Sequence, residues 1–184
     1  MLANAAAMNY GFAFRAATYG GLARLSAAHL GARSTHLVVD SPHNSIYEED
    51  VDGASAIVHR HNACRAYPAR LMPAGTPFGS VGQAVLVPGM HYTSSYLCVA
   101  SDGARESLYS ACHGAGTVIE QYARAGLSRR LRSGRVTRRY RYGQDEPELV
   151  PHLDDHGVDA ALSVLVRHDL VRPVARMRPL AVLN

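Results

Sequence analysis

The sequence sets a histidine beside two glycines: residues 107–116 read Ser-Leu-Tyr-Ser-Ala-Cys-His-Gly-Ala-Gly, with His113 leading Gly114, Ala115 and Gly116. All 19 basic residues of the chain are arginine, and none is lysine. Schiff-base, P-loop and lysyl-nucleotidyl chemistry are thereby excluded. Any covalent mechanism falls to His, Cys, Ser, Thr, Tyr or a carboxylate. Residues without a Cβ admit a bulky ligand close to the backbone, and free amides there bind anions. A tight turn with an incidental histidine has the same appearance.

Further polar residues fall into three groups. His43 and Asn44 follow Pro42 in an expected loop after an apolar stretch. Neutral imidazole is the commonest ligand for transition metals, and loops at strand ends are usual places for sites, but one histidine makes no metal site. His59 and His61 stand two apart on an expected strand and so point to one face, where they suit one metal or a polar groove. Pro88-Gly89-Met90-His91, with Ser95 just beyond, reads as a turn between two strands. The three cysteines, Cys64, Cys98 and Cys112, are scattered, odd in number and without CxxC spacing. They suit core thiols in a reducing cytosol rather than a disulfide framework.

The elements that must position these residues alternate in type. Residues 2–30 are alanine-rich, with Met8, Phe12, Leu22, Leu25 and Leu30 near helical spacing, which predicts a long helix with a break at Gly20-Gly21. Strands are expected at 35–40, 56–61, 83–87 and 96–100, with turns at Asp52-Gly53 and Asp102-Gly103. A helix over 117–126 would begin at the glycine motif, an amphipathic helix would fill 157–170, and a strand over 171–183 would close the chain. The fold class this predicts is α+β, with mixed sheets and flanking helices in one domain spanning 1–184.

Composition sets the outer limits. With 184 residues and 47% hydrophobic content the chain can bury one ordinary core. It has no apolar run of 18 residues, and Met1-Leu2-Ala3-Asn4 lacks the features of a signal peptide, so a cytoplasmic protein without membrane attachment is expected. A formal charge of +4 and pI near 9.1 favour an anionic partner. Arg124 to Arg141 holds eight arginines and no acid, and Asp145 to Asp155 holds five acids. Such blocks are commonly solvated surface. Guanidinium groups also grip phosphate oxygens in bidentate fashion, and the interleaved Tyr140 and Tyr142 can stack on unpaired bases.

Six motifs occur in order: Ala6-Ala7-Met8-Asn9-Tyr10-Gly11-Phe12-Ala13-Phe14-Arg15; Pro42-His43-Asn44; Val58-His59-Arg60-His61-Asn62-Ala63; Val87-Pro88-Gly89-Met90-His91-Tyr92-Thr93-Ser94-Ser95-Tyr96; Cys112-His113-Gly114-Ala115-Gly116; and Val174-Ala175-Arg176-Met177-Arg178-Pro179-Leu180-Ala181-Val182. Their succession resembles the C-terminal part of the RtcB family of RNA ligases over nearly the whole chain.

The resemblance implies an RtcB-like C-terminal half in which GTP and manganese serve as cofactors and RNA is the substrate. His113 would be the guanylylated residue, attacking the α-phosphorus of GTP and passing GMP to an RNA phosphate. RNA 3′-phosphate or 2′,3′-cyclic phosphate ends would then join 5′-hydroxyl ends. His43 would be one ligand of a manganese pair. Asn44, Pro88, Gly89, Met90, His91, Ser95, Gly114, Ala115 and Gly116 would contact the nucleotide. The chain departs from the family's pattern at several points: His61-Asn62 stands for Lys-Gly, Met90-His91-Tyr92 for Ser/Thr-Met-Gly, Thr117 for an arginine and Asn184 for the terminal lysine. The family's remaining metal ligands belong to an N-terminal half that this chain lacks. The resemblance therefore implies a ligase incomplete alone, with a separate N-terminal half or a full-length homologue as its partner. A noncatalytic nucleotide- or RNA-binding remnant is the alternative.

Overall fold

The computed structural model describes residues 2–183, so Asn184 lies outside the described residues. It is an α+β protein of helices and small sheets, as expected, and it divides into two compact units, Met1–Cys64 and Arg65–Asn184. Among the described residues, no helix is long and apolar enough to cross a membrane.

The first unit begins with α1 (Leu2–Leu30), none of whose residues is buried. It runs unbroken through Gly20-Gly21, because the surrounding alanines have the highest helix propensity and offset the glycine cost. Gly31, at φ 64°, ends it in the left-handed conformation that favours glycine, while Ala32 N–H closes on Ser26 O at 3.2 Å. The strand expected at 35–40 does not form. This segment is tied to α1 by side chains instead: Arg15 pairs with Asp40, and Tyr19 Oη donates to Thr35 O at 3.0 Å.

The strands of this unit are β1 (Asn44–Val51) and β2 (Ala54–His61), an antiparallel hairpin in which Asn44 opposes His61 and Val51 opposes Ala54. Asn44 is thus the first residue of a strand rather than part of a loop. The acids Glu48-Glu49-Asp50 hid β1 in the sequence, since strands are depleted in such residues. Asp52 and Gly53, both at positive φ, supply the expected turn, and Asp50 Oδ1 accepts Gly53 N–H at 2.8 Å. Across the hairpin, Arg60 grips Glu49 with two bonds, Nη1–Oε1 at 2.8 Å and Nη2–Oε2 at 2.7 Å, with both side chains at most 3% exposed. The chain passes through β3 (Ala63–Arg65) into the second unit.

There β4 (Ala84–Val87), β5 (Ser95–Ala100) and β9 (Val171–Met177) form one antiparallel sheet, with β5 central. Val85, Val87, Cys98 and Val171 on these strands are buried. Next come β6 (Ser110–Cys112), α2 (Gly116–Arg124), β7 (Val136–Tyr140), β8 (Glu148–Pro151) and α3 (His156–Arg167). Ile119 of α2 and Val158, Leu162 and Leu165 of α3 are buried. The two helices meet so closely that a Cβ on Gly157 would stand 2.7 Å from Ile119 Cα. The closing strand expected over 171–183 is two strands: β9, and β10 (Ala181–Leu183), which runs parallel to β7 in a second sheet, β10-β7-β8. Pro179 falls in the break, where a residue without N–H cannot serve a ladder.

Candidate functional site

In the second unit, two of the predicted segments converge. Leu108 and Tyr109 both adopt positive φ, 52° and 51°, which is uncommon for residues with a Cβ. Their backbones are held by bonds to Arg105 O (3.1 Å) and Ala104 O (2.8 Å), and the Tyr109 side chain is fully buried. This bend leads into β6, and His113, Gly114 and Ala115 then join β6 to the first turn of α2. That turn carries no acid. The amides of a helix N-terminus carry partial positive charge and attract phosphate, so the imidazole of His113 leads into an anion-favouring end. Cys112 is exposed, contrary to the expectation of a core thiol. Its Sγ accepts Gly114 N–H at 3.4 Å in the loop that bears His113, whereas Cys64 and Cys98 are buried. Burial pushes the Cys98 thiol up to about 11.

The turn from Pro88 to Ser95 is fixed by its own donors and acceptors. Gly89 N–H donates to Ser95 Oγ at 2.9 Å, and Met90 N–H to Thr93 Oγ1 at 2.8 Å. A Cβ on Gly89 would stand 1.9 Å from Ser94 O, so no other residue fits. Met90 carries the turn to the glycine motif: its Sδ lies 3.5 Å from where a Gly116 Cβ would be. The structure therefore brings Pro88–Ser95 and His113–Gly116 together. His91 packs edge-on against Tyr92, and its Nε2 lies 3.5 Å from Nη1 of Arg139, which itself pairs with Glu148. Burial first, and then the Arg139 charge, holds the His91 imidazole below its ordinary range, which favours the neutral ring.

His43 and Asn44 belong to the first unit. His43 O accepts Ala63 N–H at 2.9 Å and Asn44 Oδ1 accepts Asn62 N–H at 3.0 Å, which closes the mouth of the hairpin. A cavity of 230 Å³ reaches both residues between Met8, Gly11, Arg15 and Pro42, and a second of 190 Å³ includes Asn4, Asn44, Ser45 and His59. His59 and His61 do share one face, exposed and opposite the buried Val58 and Arg60. The residues present do not fit a metal ion on their own. Among the described residues, no group of three or more His, Cys, Asp or Glu side chains stands close enough to hold one.

The family model for the tRNA-splicing ligase RtcB matches residues 1–184. The chain belongs to the RtcB family. Similar relatives include the tRNA-splicing ligase RtcB of Pyrococcus furiosus, 34% identical over 83% of this chain and 17% of that protein. The counterpart from Thermococcus kodakarensis is 34% identical over 79% of the chain and 32% of the relative. The RNA-splicing ligase RtcB of Mycobacterium tuberculosis is 31% identical over 98% of the chain and 43% of the relative. The chain thus spans less than half the length of these curated relatives.

Sequence reasoning missed the residue that anchors the turn of this RtcB chain. Asp155, just before α3, is buried and accepts from Ser94, Arg176 and Arg178 at once. Arg176 and Arg178 stand in the C-terminal motif, but nothing in their spacing points to a shared buried acid. Asp155 sits in a run of acids that reads as solvated surface.

Proposed function

We propose that this RtcB chain supplies the nucleotide-accepting part of an RNA ligase, one that uses GTP and manganese to join 3′-phosphate or 2′,3′-cyclic phosphate ends to 5′-hydroxyl ends. The observation that carries the reading is the juxtaposition of His113 and its glycines, at the start of α2, with the Pro88–Ser95 turn. In this reading residues 1–184 act as one RtcB segment, and Pro88, Gly89, Met90, His91, Ser95, Gly114, Ala115 and Gly116 of the second unit surround the guanine nucleotide.

His113 then acts as the nucleophile. A ring nitrogen forms a bond to the α-phosphorus of GTP as the bond to the bridging oxygen breaks and pyrophosphate leaves. Backbone amides at the start of α2 stabilise charge on the phosphate oxygens, and the missing Cβ atoms of Gly114 and Gly116 let the nucleotide lie against backbone. The resulting phosphoramidate is labile enough to pass GMP to an RNA 3′-phosphate.

The described residues do not by themselves form a site for manganese. His43 would be one ligand, and the others would come from outside residues 2–183.

The test is labelling with α-labelled GTP and manganese, with the rest of an RtcB polypeptide supplied in trans or by fusion. The label should survive base, be released by acid and vanish in His113→Ala, while His168→Ala keeps it. Labelling that persists without His113 would overturn the assignment. A complemented protein that binds RNA but never takes label would favour the noncatalytic remnant.

A further inference from the structure

His152 stands just past β8 and is 2% exposed. Its Nε2 lies 2.7 Å from Thr137 Oγ1 on β7, and that hydroxyl also reaches Pro179 O at 3.4 Å. Nδ1 is buried and has no hydrogen-bond partner among the described residues. A neutral imidazole donates from one nitrogen only, whereas the charged ring donates from both and needs an acceptor at each. These surroundings supply one. The charged groups that act on the ring come from three places: Arg178 just past β9, Arg135 just before β7 and Asp155 just before α3. Two of them are cations, and Nη1 of Arg178 is itself buried without a partner among the described residues. A proton on this ring is therefore disfavoured by geometry. Burial, then the Arg178 and Arg135 charges, holds its pKa below the ordinary value.

The segment that carries His152 also holds the Pro88–Ser95 turn. Leu153 N–H donates to Tyr92 O at 2.9 Å, and Asp155 accepts both Ser94 N–H and Ser94 Oγ–H. Arg178 links the two ends of the segment: it bonds to Asp155 Oδ2 at 3.0 Å while its charge acts on His152. We infer that His152 is a proton-sensitive lock on this turn. With the ring neutral, residues 152–155 stay docked and hold Tyr92 and Ser94; a proton on the ring drives the segment toward water and releases both. A local excursion is enough, since it gives Nδ1 a water acceptor and parts the ring from Arg178 and Arg135 while β4, β5 and β9 stay paired. Linkage fixes the sign. The open form takes up a proton that the docked form refuses, so opening grows as pH falls below the ordinary histidine value, by at most about tenfold per pH unit. The consequence for GTP rests on the proposed nucleotide site, of which the turn is one wall; the lock itself does not.

Hydrogen exchange of the full chain between pH 7 and 5, corrected for the intrinsic pH dependence of amide exchange, tests the lock. Protection of the Ser94 and Leu153 amides should fall about tenfold or more, while Cys98 and Val99 of β5 stay within about twofold. His152→Gln still offers Thr137 a partner but cannot be charged, so it should hold the change at Ser94 within about twofold. Should that variant fail to fold, the unaltered protein answers alone. The NMR titration midpoint of its His152 ring nitrogens should coincide with the loss of protection at Ser94. A fall shared equally by Cys98 and Val99 would mark unfolding of the whole unit and overturn the inference. So would a fall undiminished in His152→Gln, one abolished by His91→Gln instead, or a His152 ring that titrates with no change at Ser94. The measurement contains no GTP: a protein that never takes GMP label refutes the ligase proposal and leaves the lock standing.

Discussion

Asp155 holds Ser94 by both of its carboxylate oxygens: Oδ1 accepts Ser94 N–H at 2.8 Å and Oδ2 accepts Ser94 Oγ–H at 2.7 Å. Two guanidinium groups share the second oxygen, Arg178 at 3.0 Å and Arg176, which also donates from Nε to Ser94 Oγ at 3.1 Å. Ser94 and Asp155 are both buried. One acid thus ties three elements together: the Pro88–Ser95 turn, the start of α3, and the end of β9 with the residues just beyond it.

Asp155→Ala should be among the more destabilising changes in the second unit. It orphans a buried amide and hydroxyl and leaves two arginines without their carboxylate. Breaking a buried, hydrogen-bonded ion pair costs about 3–5 kcal/mol. Urea unfolding followed by tyrosine fluorescence measures this. A loss below about 1 kcal/mol would rank Asp155 with ordinary surface carboxylates.

Gly89→Ala and Gly21→Ala should move stability in opposite directions. At Gly89 the new Cβ meets Ser94 O at 1.9 Å and the turn must open, whereas at Gly21 it meets nothing. Overpacking of this kind costs typically about 1–3 kcal/mol, while alanine for glycine inside a helix gains about 1 kcal/mol. Thermal melts of the two variants against the parent protein decide it.

Stability should fall as the solution is acidified below neutrality, through His152. This residue is buried, with Nε2 2.7 Å from Thr137 Oγ1. Burial, then the Arg178 and Arg135 charges, lowers its pKa from the ordinary value of 6.5. The unfolded chain therefore takes up a proton that the folded chain refuses. The resulting loss begins near the unfolded value and grows until the folded pKa is reached, at up to about 1.4 kcal/mol per pH unit. Denaturation midpoints between pH 7 and 5 should drop for the parent and drop less for His152→Gln.

Local signals were legible in the sequence where a pattern has a short-range cause. The helix at the glycine motif, the Asp52-Gly53 turn and the shared face of His59 and His61 all follow from spacing and backbone preference. Where partners are distant the sequence was silent. Glu49 and Arg60 look like surface charges, yet the register puts both on the same face of the hairpin, four positions apart, where the long arginine reaches the carboxylate and both are buried. The apolar run before Asp40 looks like a strand but pairs with none among the described residues, and side chains of α1 hold its ends instead. Met90, displaced by one position, reads as a departure from the family pattern, and it is this residue that meets Gly116.

If the arginine block contacts RNA phosphates, binding should be electrostatic and confined to a definite set of residues. Arg124 pairs with Glu120, and both Arg139 and Arg141 reach Glu148. Arg129, Arg130, Arg132, Arg135 and Arg138 are exposed and enter no ion pair among the described residues, which leaves their guanidinium groups available. Tyr142, fully exposed, stands at the end of the block as a stacking surface. Affinity for single-stranded RNA should therefore fall steeply with added salt. Replacing Arg129, Arg130 and Arg132 with glutamine should flatten the logarithmic salt slope by about 2, at roughly 0.7 for each phosphate no longer neutralised. Gln replacements at Arg124 and Arg141, already engaged by acids, should change the slope less. Fluorescence anisotropy across a salt series reads both, and binding indifferent to salt would remove the block from the RNA-binding surface.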